Sequence, residues 1–321
     1  MAVDHIIGFD LGGTKMYAVV FDMKFNEVGS ARVPTEGHKG EKDGLRRIVA
    51  TAEDAMRDAG VKAKNIRALG IGCPGVVDFD NGILRGATNL GWGDVKVGAY
   101  LKNKLEVEVT VLNDVDAGTY GEYAMGAGKK ARSLLGIFPG TGVGGGFVYE
   151  GNILRGKAAS CMEIGNLRLA GTTLEGEVDE AVRLETLAGR LGVAAACATE
   201  AARGGAPTVM ELAGTDIKGI KSGTIKKAID AGEAAVERIV KRSIAYLGLG
   251  AAAVVDLLAP DRIVLGGGLV EKMPELYIDG LRGVIEANAS PALAEGIAIK
   301  EAELGDHAVA MGAAAYALKQ L

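Results

Sequence analysis

Gly8-Phe9-Asp10-Leu11-Gly12-Gly13-Thr14-Lys15, followed by Met16-Tyr17-Ala18-Val19-Val20-Phe21-Asp22, reads as strand, glycine turn, strand. His5 to Phe9 are mostly apolar, Gly12 and Gly13 permit a tight reversal, and the run to Phe21 is rich in β-branched and aromatic residues. The turn carries a carboxylate, two residues without side chains, a hydroxyl and a cation. Such a turn lets backbone N–H groups approach phosphate oxygens closely while Asp10 faces the accompanying metal ion. A plain hairpin needs a glycine but has no need of Asp, Thr and Lys around it.

A second copy of the device lies further on. Leu134 to Phe138 leads into Pro139-Gly140-Thr141-Gly142-Val143-Gly144-Gly145-Gly146, and Phe147-Val148-Tyr149 leads out. The spacing predicts a glycine turn over 139–146 between two short strands. The stretch from Gly140 also satisfies G-x-G-x-x-G, but a dinucleotide site requires a helix after the glycines. Here Gly146 to Tyr149 is a short apolar run closed by Glu150-Gly151-Asn152. The Walker pattern is absent too. Two phosphate-type hairpins far apart predict two similar α/β halves facing each other across a nucleotide.

The rest of the chain alternates in the same manner. Glu27 to Val33 reads as a third strand. Asp43 to Ala59 has helical spacing, with Leu45, Ile48, Val49, Ala52 and Met56 on one face and Gly60 as stop. Ala68 to Gly72 and Val107 to Leu112 are short apolar strands, with a helix closing at Leu101 to Lys104 between them. The second half opens near Asn113 with a helix to Met125. A helix-rich region over 177–255 includes Arg183-Leu184-Glu185, and Asp261 to Gly268 is a strand ending in glycines. The expected domains are 1–112 and 113–305, with a last helix in 306–321 packing back on the first.

At 321 residues the chain is long enough for two cores. A net charge of −5 without any lysine-arginine tract gives no footprint for nucleic acid, and 5% aromatics offer no stacking platform for single strands. Cys73, Cys161 and Cys197 are odd in number and widely spaced, which suits buried small hydrophobes in a reducing cytosol. No secretory signal opens the sequence. The longest uncharged stretch, Ser243 to Val255, falls short of the ~20 residues that span a bilayer. A cytoplasmic protein without membrane partners is expected.

Polar residues gather at the ends of these elements. Val109-Thr110-Val111-Leu112-Asn113-Asp114 sets an amide and a carboxylate where a strand's carboxyl end meets a helix, the place where open α/β sheets bind ligands. A carboxylate there can accept the proton of a hydroxyl attacking phosphorus, or it can merely cap the helix. Thr88-Asn89-Leu90-Gly91-Trp92 holds an amide beside the only tryptophan, and Glu163-Ile164-Gly165-Asn166 offers a carboxylate and an amide on a turn.

Taken in order, these segments resemble the ROK family of sugar kinases, within the hexokinase and actin-like superfamily. Asp10 to Lys15 resembles the first phosphate motif and Gly140 to Gly146 the second. Asn113-Asp114 with Gly121-Glu122 and Gly126-Ala127-Gly128 resembles the catalytic segment, and Ile263 to Gly268 the adenosine motif. The resemblance implies an α/β, two-domain actin-like (ribonuclease H-like) fold with an interdomain cleft. It implies an ATP- and magnesium-dependent kinase acting on the 6-hydroxyl of a hexose, glucose foremost, working as a homodimer. Asp114 would be the general base. Gly75, Asn89, Asn113, Asp114, Glu163, Asn166 and Glu185 would bind the sugar. Asp10, Gly12, Gly13, Thr14, Lys15, Gly140, Thr141, Gly142, Gly266, Gly267 and Gly268 would bind the nucleotide and its magnesium. Polar side chains suit such a site, because each desolvated hydroxyl needs a partner.

One departure is large. Family members commonly carry His at the position of Asn166 and a cysteine cluster completing a zinc site. Here 171–183 contains no cysteine and Arg183 occupies the last cysteine's place. Loss of both donor types predicts a protein without zinc, its loop held by ordinary packing of Leu167, Leu169 and Leu174. Alternatives within the resemblance are a polyphosphate donor, fructose, mannose or an N-acetylhexosamine as acceptor, and a sugar-binding regulator. Regulators of the family carry a DNA-binding segment ahead of the kinase-like part, whereas here the first strand begins within a few residues of Met1.

Overall fold

A computed structural model describes residues 4–156, 161–169 and 182–321. The chain opens with three strands, β1 (His5–Leu11), β2 (Lys15–Asp22) and β3 (Glu27–Pro34), followed by helix α1 (Glu41–Asp58) and β4 (Ile66–Cys73). A small ribbon, β5 (Val76–Asp78) and β6 (Ile83–Gly86), precedes α2 (Val97–Leu105), β7 (Glu108–Asn113) and α3 (Asp114–Met125). The strands form one sheet in the order β3-β2-β1-β4-β7, with β1, β4 and β7 parallel.

Period-two alternation divides the sheet's apolar residues between its faces. Ile7, Phe9 and Leu11 of β1 join Met16, Ala18 and Val20 of β2 in a core with Leu45, Ile48, Ala52 and Met56 of α1. Ile6, Tyr17, Val19 and Phe21 pack on the other face. Asp10 has the parity of Ile6 and Gly8, so it lies on that second face, at the strand's carboxyl end. Burying each such Val, Leu, Ile or Phe contributes roughly 1.5–3 kcal/mol before entropy is counted.

The next elements are β8 (Ser133–Pro139), β9 (Val143–Tyr149) and β10 (Asn152–Ile153), then the short strands β11 (Arg168–Leu169) and β12 (Val182–Arg183). Helices α4 (Leu184–Ala188), α5 (Arg190–Ala202), α6 (Pro207–Ala213), α7 (Ser222–Asp230) and α8 (Ala234–Leu258) follow. The chain then runs through β13 (Arg262–Leu265), α9 (Gly268–Lys272), α10 (Pro274–Asn288), α11 (Pro291–Ala294), β14 (Ala298–Glu301) and α12 (Ala308–Lys319). The second sheet has the order β10-β9-β8-β13-β14, with β8, β13 and β14 parallel. Among the described residues no helix is long and apolar enough to cross a membrane.

The chain divides into two compact units, residues 1–131, 146–162 and 303–321 in the first and 132–145 and 163–302 in the second. This differs from the break at 112/113 read from the sequence. Helix α3 stays in the first unit because it crosses α12 backbone to backbone: a Cβ on Gly312 would stand 1.8 Å from the Ala117 carbonyl oxygen. Helix α12 also lies flat on the second face of the first sheet, where Cβ atoms on Gly8 and Gly70 would stand 1.9 Å from the carbonyls of Ala310 and Ala313.

Three local readings are corrected. Val143 to Gly146 belong to β9, so the second glycine turn shrinks to Gly140–Gly142. Gly146 is a packing glycine within the strand, since a Cβ there would meet Thr119 Oγ1 at 2.2 Å. Of Arg183-Leu184-Glu185, read as helical, Leu184 and Glu185 do lie in a helix, the five-residue α4, whereas Arg183 lies in β12.

Of the loop contacts expected from Leu167, Leu169 and Leu174, that of Leu167 is present, its Cδ1 lying 3.6 Å from where a Cβ on Gly250 of α8 would stand, but strand pairing and other residues carry much of the support. Leu167 is 37% exposed, Leu169 is half-buried, and Leu174 lies outside the described residues. In addition β11 pairs antiparallel with β12, Arg168 opposite Arg183, and the Leu184 N–H donates to the Leu167 carbonyl at 2.8 Å. Buried Ile164 and Leu184 reach α8 at Gly250.

Candidate active site

In the first unit, strand register brings together residues far apart in sequence. Asp10 pairs with Gly72, and Cys73 with Asn113, so the carboxyl ends of β1, β4 and β7 lie side by side. Asn113 caps α3, as its β-region backbone and amide side chain favour. Its Oδ1 accepts from the N–H groups of Val115 and Asp116 at 2.8 and 3.1 Å, and its Nδ2 donates to the Gly75 carbonyl at 3.0 Å. The cap is therefore Asn113, and Asp114 occupies the first helical position. One oxygen of Asp114 accepts from the Val115 N–H at 2.9 Å.

Asp10 is strongly perturbed by its surroundings. Burial pushes its carboxyl up from the ordinary 3.8 to about 7, and the negative charge of Asp114 adds to the rise, against weaker pull from Lys15. Two carboxylates sharing a poorly solvated corner cannot both ionise freely unless a cation joins them. Among the described residues no set of three or more His, Cys, Asp or Glu gathers as a metal site. A corner of two carboxylates at a strand end nevertheless fits a cation delivered with a polyphosphate ligand.

The turn after β1 is braced from several sides. The Gly12 N–H donates to the Lys15 carbonyl at 3.0 Å, and the buried Thr35 hydroxyl donates to the Gly12 carbonyl at 2.6 Å. Thr14 is exposed, and its carbonyl accepts from the Thr35 N–H at 2.8 Å. Lys15 Nζ and Arg32 Nη1 both reach Asp306 Oδ2, at 3.2 and 3.1 Å, and these pairings hold the Asp306 carboxyl below its usual range. Asn89 is exposed beside the turn, its Cβ 3.6 Å from where a Cβ on Gly13 would stand. Trp92 is structural: its Nε1–H donates to the Gly37 carbonyl at 3.2 Å and its ring packs on Gly44 of α1.

Sequence reading passed over Thr35, Arg32 and Asp306, and named Glu122 only as part of a motif. Glu122 is fully buried, and its carboxylate accepts from the N–H groups of Ala127, Glu303 and Leu304 at 2.9, 3.1 and 2.8 Å. It ties the end of α3 to the segment entering α12. Nothing in a local sequence window signals those partners.

In the second unit, the Gly140–Gly142 turn and the glycines after β13 share an edge, because β8 and β13 are parallel with Ile137 opposite Leu265. The carbonyls of Gly140 and Thr141 accept from the first N–H groups of α5, Arg190 at 2.9 Å and Leu191 at 3.3 Å. Glu185 lies against the turn, its Oε2 2.6 Å from where a Cβ on Gly142 would stand. Arg183 Nη1 stands 3.7 Å from Glu185 Oε1. Glu163 Oε2 accepts from Asn166 Nδ2 at 3.3 Å, both residues being exposed on their turn. Gly267 adopts φ +88° with its α-carbon side close to the Pro139 carbonyl, and Gly268 opens α9 beside the buried Ser222 hydroxyl. The expected site residues thus form two sets, one in each unit: Asp10, Gly12 to Lys15, Gly75, Asn89, Asn113 and Asp114 in the first, and Gly140 to Gly142, Glu163, Asn166, Glu185 and Gly266 to Gly268 in the second.

Comparison with known proteins gives a consistent frame. The family model described as "ROK family" matches residues 6–320. The chain is 31% identical to a glucokinase of Halalkalibacterium halodurans over 95% of this chain and 92% of that protein. It is 25% identical to the xylose repressor of Caldicellulosiruptor bescii over 99% of this chain and 79% of that protein. Among solved structures, a ROK family glucokinase from Streptomyces griseus in complex with glucose and AMPPNP superposes with a TM-score of 0.80 at 25% identity, covering 98% of this chain and 99% of that one. The chain belongs to the ROK family and has its two-domain actin-like α/β fold.

Proposed function

From membership of the ROK family we propose that this chain is an ATP-dependent sugar kinase, transferring the γ-phosphoryl group to the 6-hydroxyl of a hexose, with glucose the first candidate. The observation that carries the reading is the carboxylate pair at the strand ends, Asp114 at the first position of α3 beside the half-buried Asp10. Asp114 accepts the proton of the attacking hydroxyl, a contribution of typically 10²–10⁴ in rate. Asp10 would hold the magnesium ion carried by the nucleotide, whose charge would relieve the crowding of the two carboxylates. The turns Gly12 to Lys15 and Gly140 to Gly142 receive the phosphates on backbone N–H groups, and Gly266 to Gly268 flank the adenosine.

Gly75, Asn89, Glu163, Asn166 and Glu185 are the hydroxyl partners of the sugar. Asn113 has less to offer than its amide suggests. Its oxygen already accepts two N–H groups and one amide proton is engaged by Gly75, which leaves a single donor. In this reading the protein is a cytoplasmic homodimer. The similar glucokinases support glucose and ATP, and the repressor among the relatives keeps a sugar-binding regulator as the second reading.

A coupled assay tests the proposal. Purified protein is offered glucose, fructose, mannose and N-acetylhexosamines, with ATP and with polyphosphate as separate donors. Glucose with ATP is expected to give the highest kcat/KM. Sugar binding without turnover by either donor would replace the kinase reading with the regulator.

A further inference from the structure

Helices α5 and α8 of the second unit enclose a groove of about 540 Å³ lined by Thr199, Glu200, Arg203, Arg238, Ile239 and Arg242. Its volume lies within the ~300–1,000 Å³ typical of small-molecule sites. A smaller recess of about 230 Å³ continues past Ala196, Ile239 and Arg242 to Tyr246, Thr186 and Leu187. The lining is unusual for a chain with a net charge of −5: three guanidinium groups face one carboxylate. That carboxylate, Glu200, lies 3.5 Å from Arg203 Nη1, whereas Arg238 and Arg242 make no ion pair among the described residues. The nearest charges on α8, Glu237 and Lys241, are paired with each other at 2.7 Å.

Arg238 and Arg242 are four residues apart on one helix, about 6 Å along its axis, and so lie on the same face. Guanidinium groups bind phosphate through paired N–H donors, and two or three converging on one groove select for a phosphate ester over a carboxylate of single charge. The floor is apolar, with Ile239 buried and Ala196 half-buried, and leads toward the Tyr246 ring. That combination suits a charged head on a compact carbon skeleton.

We propose that this groove binds a phosphorylated sugar, and that it is a regulatory site separate from the glycine turns. The route to those turns is short. Thr186 and Leu187 of the recess directly follow Glu185, and the first N–H groups of α5 hold the Gly140 and Thr141 carbonyls. A ligand bridging α5 to α8 fixes the position of α5 and, through it, the Gly140–Gly142 turn and Glu185.

The test is calorimetric titration of glucose 6-phosphate, inorganic phosphate and uncharged glucose into the full chain at about 0.15 M salt. Wild type, Asp114→Asn and the exposed pair Arg238→Gln/Arg242→Gln are compared, each with and without saturating AMPPNP and glucose. Glucose 6-phosphate is expected to bind wild type and Asp114→Asn alike with the nucleotide analogue present, and at least tenfold more weakly to the double variant. In kinetics, glucose 6-phosphate is expected to change the nucleotide KM of wild type but not that of the double variant, whose basal kcat stays unchanged. Equal affinity in the double variant overturns the proposal. So does binding no stronger than that of inorganic phosphate, or a change of oligomeric state in the double variant without anion binding, which would make the groove a subunit contact. The binding arm needs no turnover, so its failure is distinct from failure of the kinase reading.

Discussion

Asp10→Asn should stabilise the first unit while removing its preference for a cation, and the gain should grow with pH. The wild-type carboxyl is raised from 3.8 to about 7 by burial and by the charge of Asp114. Folded protein therefore holds this proton up to about pH 7, whereas the unfolded chain releases it near pH 4. Stability from the group is fully present below pH ~4 and is lost as the pH rises through 7. At ~1.4 kcal/mol per pH unit of displacement the ionised form costs about 4 kcal/mol at pH 8, but only about 1.5 kcal/mol at pH 5. Asparagine is nearly isosteric and does not titrate. Its advantage over wild type should thus widen by about 2.5 kcal/mol between pH 5 and pH 8. Urea unfolding without nucleotide or magnesium measures it, followed by the fluorescence of Trp92, the single tryptophan, which lies in the same unit as Asp10. Equal advantages at the two pH values would refute the reasoning, as would an Asp10 carboxyl titrating near 4 by NMR.

Asp114→Asn is expected to lower kcat by on the order of 10²–10⁴ with little change in urea midpoint, measured by the coupled assay and by unfolding side by side; near-wild-type kcat would remove Asp114 as the base. Glu122→Gln turns one acceptor oxygen toward N–H donors as an NH₂ group. With hydrogen bonds to a charged group worth ~1.5–3 kcal/mol each, a loss of at least about 3 kcal/mol in chemical denaturation is expected, and a loss below about 1 kcal/mol would show that the buried carboxylate is dispensable. Elemental analysis of protein purified without added metal should find no tightly held zinc. About one zinc per chain, with activity lost on chelation and restored by zinc but not magnesium, would contradict the reading of 171–183 as a loop without zinc.

Much of the architecture was legible locally. Asp10-Leu11-Gly12-Gly13-Thr14-Lys15 announces its turn because glycine and alternating apolar residues constrain backbone geometry within a few residues. Leu45, Ile48, Ala52 and Met56 mark the buried face of α1 through helical period alone. The same reasoning found Asn113-Asp114 at its strand-to-helix junction, but it could not divide the labour between amide and carboxylate. It also misread Val143 to Gly146 as turn: glycine reports where a side chain is missing, without saying whether a bend or a neighbour such as Thr119 requires the space.

The set of elements and the chemistry at their ends are written into short stretches of residues, since both follow from interactions within a helical turn or a strand. Which of those ends meet is settled only by the packing of the folded chain. Strand register sets Asp10 on the row of Gly72, where burial foremost and then the nearby charge of Asp114 raise its carboxyl. The cation of Lys15 meets Asp306, 291 residues away, and Glu122 gathers N–H groups up to 182 residues distant. Such encounters depend on the register and packing of whole elements, and each adds charge or removes water in a way no window of neighbouring residues records.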